Sequence, residues 1–220
     1  MKKILLPILI ITFLYLYFPV FCFVKEIDIE GNNLVDKNEI IKTSELNGKL
    51  LAAHNKHHST NRILNIKLIK NVEYKQTNFR KIKIIVKEKK ILMQAKIGNL
   101  SGYIDEDSAL LSGVEEYVNE SYPIFSSESE DQIKDGVSLL SLLLKKNVLQ
   151  YNDISEIVFD KILGATIFTN QGTEIYIGKG KFEKKINNLV LILKDGKRKQ
   201  MKESYIDLSN INKGVVNYNL

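Results

Sequence analysis

Residues Ile4 to Phe23 form an uncharged, predominantly apolar run of 20, preceded by Lys2 and Lys3. As a helix rising ~1.5 Å per residue, such a run spans ~30 Å, the thickness of a bilayer's hydrocarbon core. Three readings compete: a retained membrane anchor, a cleaved signal peptide and a lipoprotein signal. A signal peptide has an apolar stretch of about 7–15 residues and small residues at its cleavage site. Here the exit reads Phe18-Pro19-Val20-Phe21-Cys22-Phe23, and bulky Val20 and Phe21 precede the only cysteine. The expectation is a retained single span over 4–23, with Tyr15, Tyr17, Phe21 and Phe23 suited to the interface. Residues 1–3 would be a cytoplasmic tip and the remainder extracytoplasmic, in the cytoplasmic (inner) membrane. A lone cysteine allows no intramolecular disulfide and says nothing about redox compartment.

Beyond the run the chain divides by charge. Residues 24–90 carry 15 Lys+Arg against 8 Asp+Glu, whereas residues 91–220 carry 15 against 18. The basic part is the one nearest the apolar run. Its plain reading is a solvated surface, and its functional reading is attraction to anionic lipid headgroups. Nucleic acid is not implied, because no basic motif is interleaved with aromatic residues.

Residues 24–90 read as β-α-α-β-β. Val24 to Glu30 alternates apolar and polar, and Gly31-Asn32-Asn33 makes a turn. Asp36 with Glu39 forms a capping box at the start of a helix, with Val35 and Ile40 as its hydrophobic staple. A second helical stretch is expected near Thr60 to Ile69. Val72–Gln76 and Lys81–Val86 then read as a hairpin, with Ile82, Ile84 and Val86 on one buried face.

Residues 91–220 read as a mixed β domain with two helices, making the whole an α+β chain. Ile91, Met93, Ala95 and Ile97 alternate as a strand. Gly102–Asp105 and Ala109–Leu111 form a short hairpin. Ser127 with Glu130 is a second capping box, opening a helix with Ile133, Val137, Leu140 and Leu144 on one face. Strands are expected at Ile154–Phe159, Ala165–Thr169, Thr173–Ile177, Tyr205–Leu208 and Gly214–Tyr218. The other helix, Phe182 to Lys194, would end at Gly196.

Catalytic constellations are hard to assemble. His54, His57 and His58 are the sole histidines; no cysteine or nearby carboxylate completes a zinc set, and a solvated loop is the plainer reading. A Ser–His–Asp triad would have to draw on the same cluster. Gly178-Lys179-Gly180-Lys181 lacks P-loop spacing. No catalytic residue, cofactor or metal site is expected.

An apolar span followed by Val24-Lys25-Glu26-Ile27-Asp28-Ile29-Glu30-Gly31-Asn32 resembles the start of a POTRA domain in the FtsQ/DivIB family of cell-division proteins. Ile82 to Lys89 resembles that domain's third strand and exit. Tyr103-Ile104-Asp105, Thr173 to Gly178, Tyr205-Ile206-Asp207-Leu208 and Val215-Val216 resemble, in order, segments of the family's β domain. Ile91 and Leu92 stand where proline is common, Ser108 where glycine is usual, and Ser209 in place of arginine. The resemblance implies a POTRA domain over 24–90 and a β domain over 91–220. It further implies a non-catalytic scaffold at the division site, binding FtsB- and FtsL-type coiled-coil membrane proteins. The expected partner site is the C-terminal strand, at Val215, Val216, Asn217 and Tyr218, with Tyr205 on the neighbouring strand. A strand with nothing after it falls at a sheet edge, where another strand can add. Completion of the core is the competing role for Val216 and Tyr218. The competing functions are a POTRA-containing secretion or assembly factor and an anchored cell-wall hydrolase.

Overall fold

The computed structural model describes residues 7, 10–13, 23–50, 56–78 and 80–219. Most of the expected membrane span, 4–23, therefore lies outside the described residues, which include only residues 7, 10–13 and 23 of it. Among those described, no helix is long and apolar enough to cross a membrane. The architecture is mixed α+β and divides into two compact units, Met1–Lys89 and Lys90–Leu220.

In the first unit the order is β1 (Glu26–Glu30), α1 (Lys37–Ser44), α2 (Lys56–Leu64), β2 (Ile69–Gln76) and β3 (Lys81–Glu88). Strand β3 lies between the other two, parallel to β1 and antiparallel to β2. Ile82, Ile84 and Val86 are all nearly inaccessible, as period-2 alternation requires of one sheet face. The turn after β1 depends on Gly31 at φ 89°, where a Cβ would sit 2.1 Å from the Val86 carbonyl oxygen. Asp36 caps α1 by accepting from the Asn38 amide at 2.7 Å and from the Glu39 amide. Val35 and Ile40 are buried beside it. The Glu88 carboxylate accepts from the Leu34 and Val35 amides at 2.9 Å, tying the end of β3 to the approach to α1. Ser59 donates to the Ser44 carbonyl at 2.7 Å and joins the two helices. Helix α2 starts and stops earlier than expected. Hydrogen bonds from Asn65 to Asn61 and from Ile66 to Ile63 close it, which frees Ile69 to begin β2.

The second unit contains β4 (Ile91–Ile97), β5 (Leu100–Asp105), β6 (Leu110–Leu111), β7 (Ile124–Ser127) and α3 (Ile133–Lys145). It continues with β8 (Ile154–Asp160), β9 (Gly164–Thr169), β10 (Glu174–Gly178), α4 (Phe182–Lys199), β11 (Lys202–Asp207) and β12 (Val215–Asn219). Its nine strands form one sheet in the order β12-β11-β10-β9-β8-β7-β4-β5-β6. The pairs β4/β7, β7/β8 and β10/β11 are parallel. Two of these need a crossover, and α3 and α4 supply them. One core runs from Met93 and Ile104 through Phe125, Ile157, Ile167 and Ile175 to Ile206, packed on Leu139, Leu140, Leu143, Ile186 and Leu189.

Three local expectations are corrected. Ser127 closes strand β7, and a single 3₁₀ turn, Glu130–Gln132, precedes α3; its N-cap, Ser129, makes no capping bond. Helix α4 passes through Gly196 and ends only at Lys199, with Gln200 left-handed at φ 55°. Strand β11 starts three residues before Tyr205. Within α4, Lys185 is 3% exposed and donates to the Ile177 and Lys179 carbonyls at 2.8 and 2.9 Å. It locks the helix to the turn after β10. Burial pulls its pKa down, against the opposing pull of Asp207.

Candidate functional site

Among the described residues strand β12 pairs only with β11, at one end of the nine-stranded sheet. Antiparallel pairing to β11 sets Val215 opposite Asp207, Val216 opposite Ile206, Asn217 opposite Tyr205 and Tyr218 opposite Glu203. Ile206 is fully buried and Val216 packs against the core, so Val216 and Tyr218 share the helix-covered face. Val215, Asn217 and Tyr205 belong to the other face. All five expected site residues are thus gathered at one edge, divided between its two sides.

The exposure pattern separates their roles. Val215 is 59% exposed and Asn217 is exposed, whereas Val216, Tyr218 and Tyr205 are half-buried. On the face away from the helices, exposed Val215 and half-buried Tyr205 offer apolar area a partner can cover. Burial, then the nearby Asp207 and Glu174 carboxylates, raises the Tyr205 pKa.

The edge is held firmly from behind. Thr173 donates to the Glu203 carbonyl at 2.8 Å, and Ser204 to the Asn217 carbonyl at 3.1 Å. The loop between β11 and β12 is pinned by Asn188 of α4, which donates to the Ile211 carbonyl at 2.9 Å. At Gly214 a Cβ would lie 2.6 Å from Ile192 Cδ1, so the chain enters β12 pressed against α4. These supports were not anticipated from the sequence. Single Thr, Ser and Asn residues carry no periodic signal, and their partners are 13 to 30 positions away.

Elsewhere the surface is less suggestive. In the first unit Lys37, Lys81 and Lys83 pair with Asp28, Glu26 and Glu30, which tempers its positive charge. His54 lies outside the described residues. His57 and His58 are exposed on α2, where His58 accepts from Arg62 at 3.1 Å. Among the described residues, no group of three or more His, Cys, Asp or Glu could hold a metal ion.

A family model described as "Cell division protein FtsQ/DivIB, C-terminal" matches residues 92–209, more than half of the chain. That span runs from β4 to just past β11 and stops before β12. The chain is 29% identical to Cell division protein FtsQ of Geobacter sp. (strain M21) over 147 residues, covering 61% of this chain and 53% of that protein. It is 26% identical to Cell division protein FtsQ of Geotalea daltonii over 126 residues, covering 52% of this chain and 46% of that one. It is 28% identical to Cell division protein DivIB of Clostridium botulinum (strain Loch Maree / Type A3) over 201 residues, covering 84% and 78%. The chain thus spans about half the length of the FtsQ relatives it matches. By the extent of the family match, this chain belongs to the FtsQ/DivIB family of cell-division proteins.

Proposed function

We propose that this protein is a membrane-anchored, non-catalytic scaffold of the septal complex. One observation carries the reading. In a chain of a cell-division family, the large sheet ends on a strand that, among the described residues, pairs on one side, and whose side chains include an exposed valine and a half-buried tyrosine. An open strand of this kind takes a partner by strand addition, with backbone bonds giving affinity and alternate side chains giving selectivity. The partner is a segment of a membrane protein of the FtsB or FtsL type, seated along Val215–Tyr218 with Tyr205 beside it.

In this reading residues 4–23 anchor the chain in the cytoplasmic membrane, with residues 1–3 inside and the rest outside. Residues 24–90 are a POTRA domain, supported by the order β-α-α-β-β and the central position of β3. Residues 91–220 are the partner-binding β domain. The scaffold makes and breaks no covalent bond, so its work is to hold other proteins at the septum.

Two measurements test this. Depletion is expected to block septation and give filaments or chained cells; normal division without the protein sinks the proposal. A photo-crosslinker at exposed Asn217 is expected to capture a small membrane protein in dividing cells. Capture that persists unchanged after deletion of residues 214–220, with the crosslinker moved to Tyr205, would reject β12 as the site while leaving the scaffold role standing.

A further inference from the structure

The hairpin between β8 and β9 ends in an apolar tip. Ile162 is 82% exposed, more than any other large apolar side chain among the described residues, and Leu163 beside it is 59% exposed. Apolar side chains scattered singly over a surface are ordinary, but two held out together on a locked turn are not. Three contacts lock this turn. Asp160 accepts from the Ile162 and Leu163 amides at 2.6 and 2.7 Å. Those amides, that of Leu163 first, hold the Asp160 carboxyl below its ordinary pKa, so it stays ionised and the lock stays closed well below neutral pH. The Tyr176 hydroxyl donates to the Leu163 carbonyl at 2.8 Å. Gly164 follows at φ 90°, where a Cβ would lie 2.3 Å from the Gly178 carbonyl carbon, so the tip is pressed against the turn after β10.

That second turn is basic. Lys161 on the tip and Lys179 and Lys181 beside it are exposed, and exposed Lys184 follows in the first turn of α4. Among the described residues none of these four cations enters an ion pair. Residues 179–202 carry nine Lys or Arg against two Asp or Glu, within a second unit whose overall balance is acidic. Three kinds of partner compete for such a surface. A soluble polyanion would use the lysines and leave the aliphatic pair in water. A protein groove would take the aliphatic pair and gain little from a cluster of lysines, which are depleted at interface cores. A bilayer with anionic headgroups uses both. Aliphatic side chains enter the boundary between headgroups and acyl chains, and ammonium groups meet the phosphates.

We propose that the β8–β9 tip is a lipid-contact site of the second unit. Ile162 and Leu163 insert at the surface of an anionic bilayer, and Lys161, Lys179 and Lys181 bind its phosphate groups. The contact goes beyond the scaffold reading: it uses second-unit residues only, and neither the apolar run at 4–23 nor β12 takes part. It holds the second unit at the membrane surface in one orientation, which limits the directions from which a partner can approach β12.

The test uses the full chain with Cys22→Ser, so that one introduced cysteine carries an environment-sensitive fluorophore. The label is placed by Ile162→Cys, or by Gln171→Cys in the exposed turn at the other end of β9 as the control. Each protein is reconstituted with vesicles of phosphatidylcholine alone, and of phosphatidylcholine with an equal part of phosphatidylglycerol. On the anionic vesicles the label at position 162 should shift to the blue and be quenched by lipid brominated on its acyl chains; the label at position 171 should do neither. Lys161→Gln, Lys179→Gln and Lys181→Gln should each move the contact equilibrium about fivefold toward the free state, the effect of one lysine near an anionic surface. Leu163→Ser should weaken it further. All four side chains are exposed, so thermal stability should not change. Deletion of residues 214–220 should leave the response as it was, which separates failure here from failure of the β12 edge. A label at position 162 that stays in water on both vesicle types overturns the proposal. So does an equal response at the two positions, indifference to the lysine variants, or contact of the same strength on phosphatidylcholine alone. An equal blue shift with soluble polyphosphate in place of vesicles assigns the lysines to a polyanion and overturns the lipid.

Discussion

Ser108 adopts a left-handed backbone at φ 63°, at a position where the family resemblance expects glycine. An L-residue there costs ~1–2 kcal/mol through the approach of Cβ to the following carbonyl oxygen. The turn survives because Asp105, 1% exposed, accepts from the Asp107 and Ala109 amides through one carboxylate oxygen, both at 2.9 Å. Ser108→Gly should therefore raise stability by roughly 1 kcal/mol, the relieved strain less the added chain entropy of glycine. Urea unfolding should show a higher midpoint at constant slope; an unchanged or lower midpoint refutes the strain. Lys185 gives the second prediction at this scale. Its folded pKa lies below the ordinary lysine value, so the unfolded chain binds more protons across the interval between the two. The cost of burying its charge is fully present below the folded value and fades as pH rises toward the unfolded one. Wild type should gain stability relative to Lys185→Met as the pH is raised through the alkaline range, read from paired unfolding curves. A difference that is flat with pH would mean the amine is charged in both states throughout.

Helix α3 carries a glycine at its fourth residue, Gly136, which by propensity alone is a flaw worth up to ~1 kcal/mol against alanine. Packing reverses the sign. A Cβ at Gly136 would meet Cε2 of Phe125 at 2.3 Å, and that ring is fully buried at the centre of the core. Gly136→Ala should then destabilise by about 1–2 kcal/mol, the overpacking cost exceeding the gain in helix propensity. A stabilised variant in thermal melts would show that the ring moves aside freely. The same pair explains what could be read from the sequence and what could not. Strands β1, β3 and β4 and both second-unit helices were legible because their apolar residues repeat at the period of one face over five or more residues. Strand β7 was not, since it has four residues and only Phe125 is buried. Its place between β4 and β8 is fixed by parallel pairing and the α3 crossover, which leave no local trace. The packing of Tyr122 between Tyr103 and Tyr151 left no local trace either, because the three rings meet only once the sheet has formed.

At the scale of the whole chain, the two units keep separate cores. The large apolar cluster draws only on residues from Leu92 to Leu208, while Ile40, Ile63, Leu68 and Ile84 are buried within the first unit. A cluster confined to one unit predicts that damage to the other unit's core is local. Ile84, 0% exposed, is the sharpest probe, because it lies on the central strand β3 between both neighbours. Lysine at that position would bury an unpaired charge, at a cost of several kcal/mol. A unit of this size has little stability in reserve, so Ile84→Lys should unfold the first unit outright. Lys83, next along the strand and half-exposed beside Glu30, marks the face on which a cation is already accommodated. Hydrogen exchange followed by mass spectrometry should show loss of amide protection across β1, β2 and β3 in the variant, with β4 to β11 protected as in wild type. If protection disappears from both units together, they fold as one cooperative body and the division at Lys89 has no thermodynamic meaning. If Ile84→Lys leaves the first unit protected, Ile84 is not on the buried face of β3 and the strand's register is wrong.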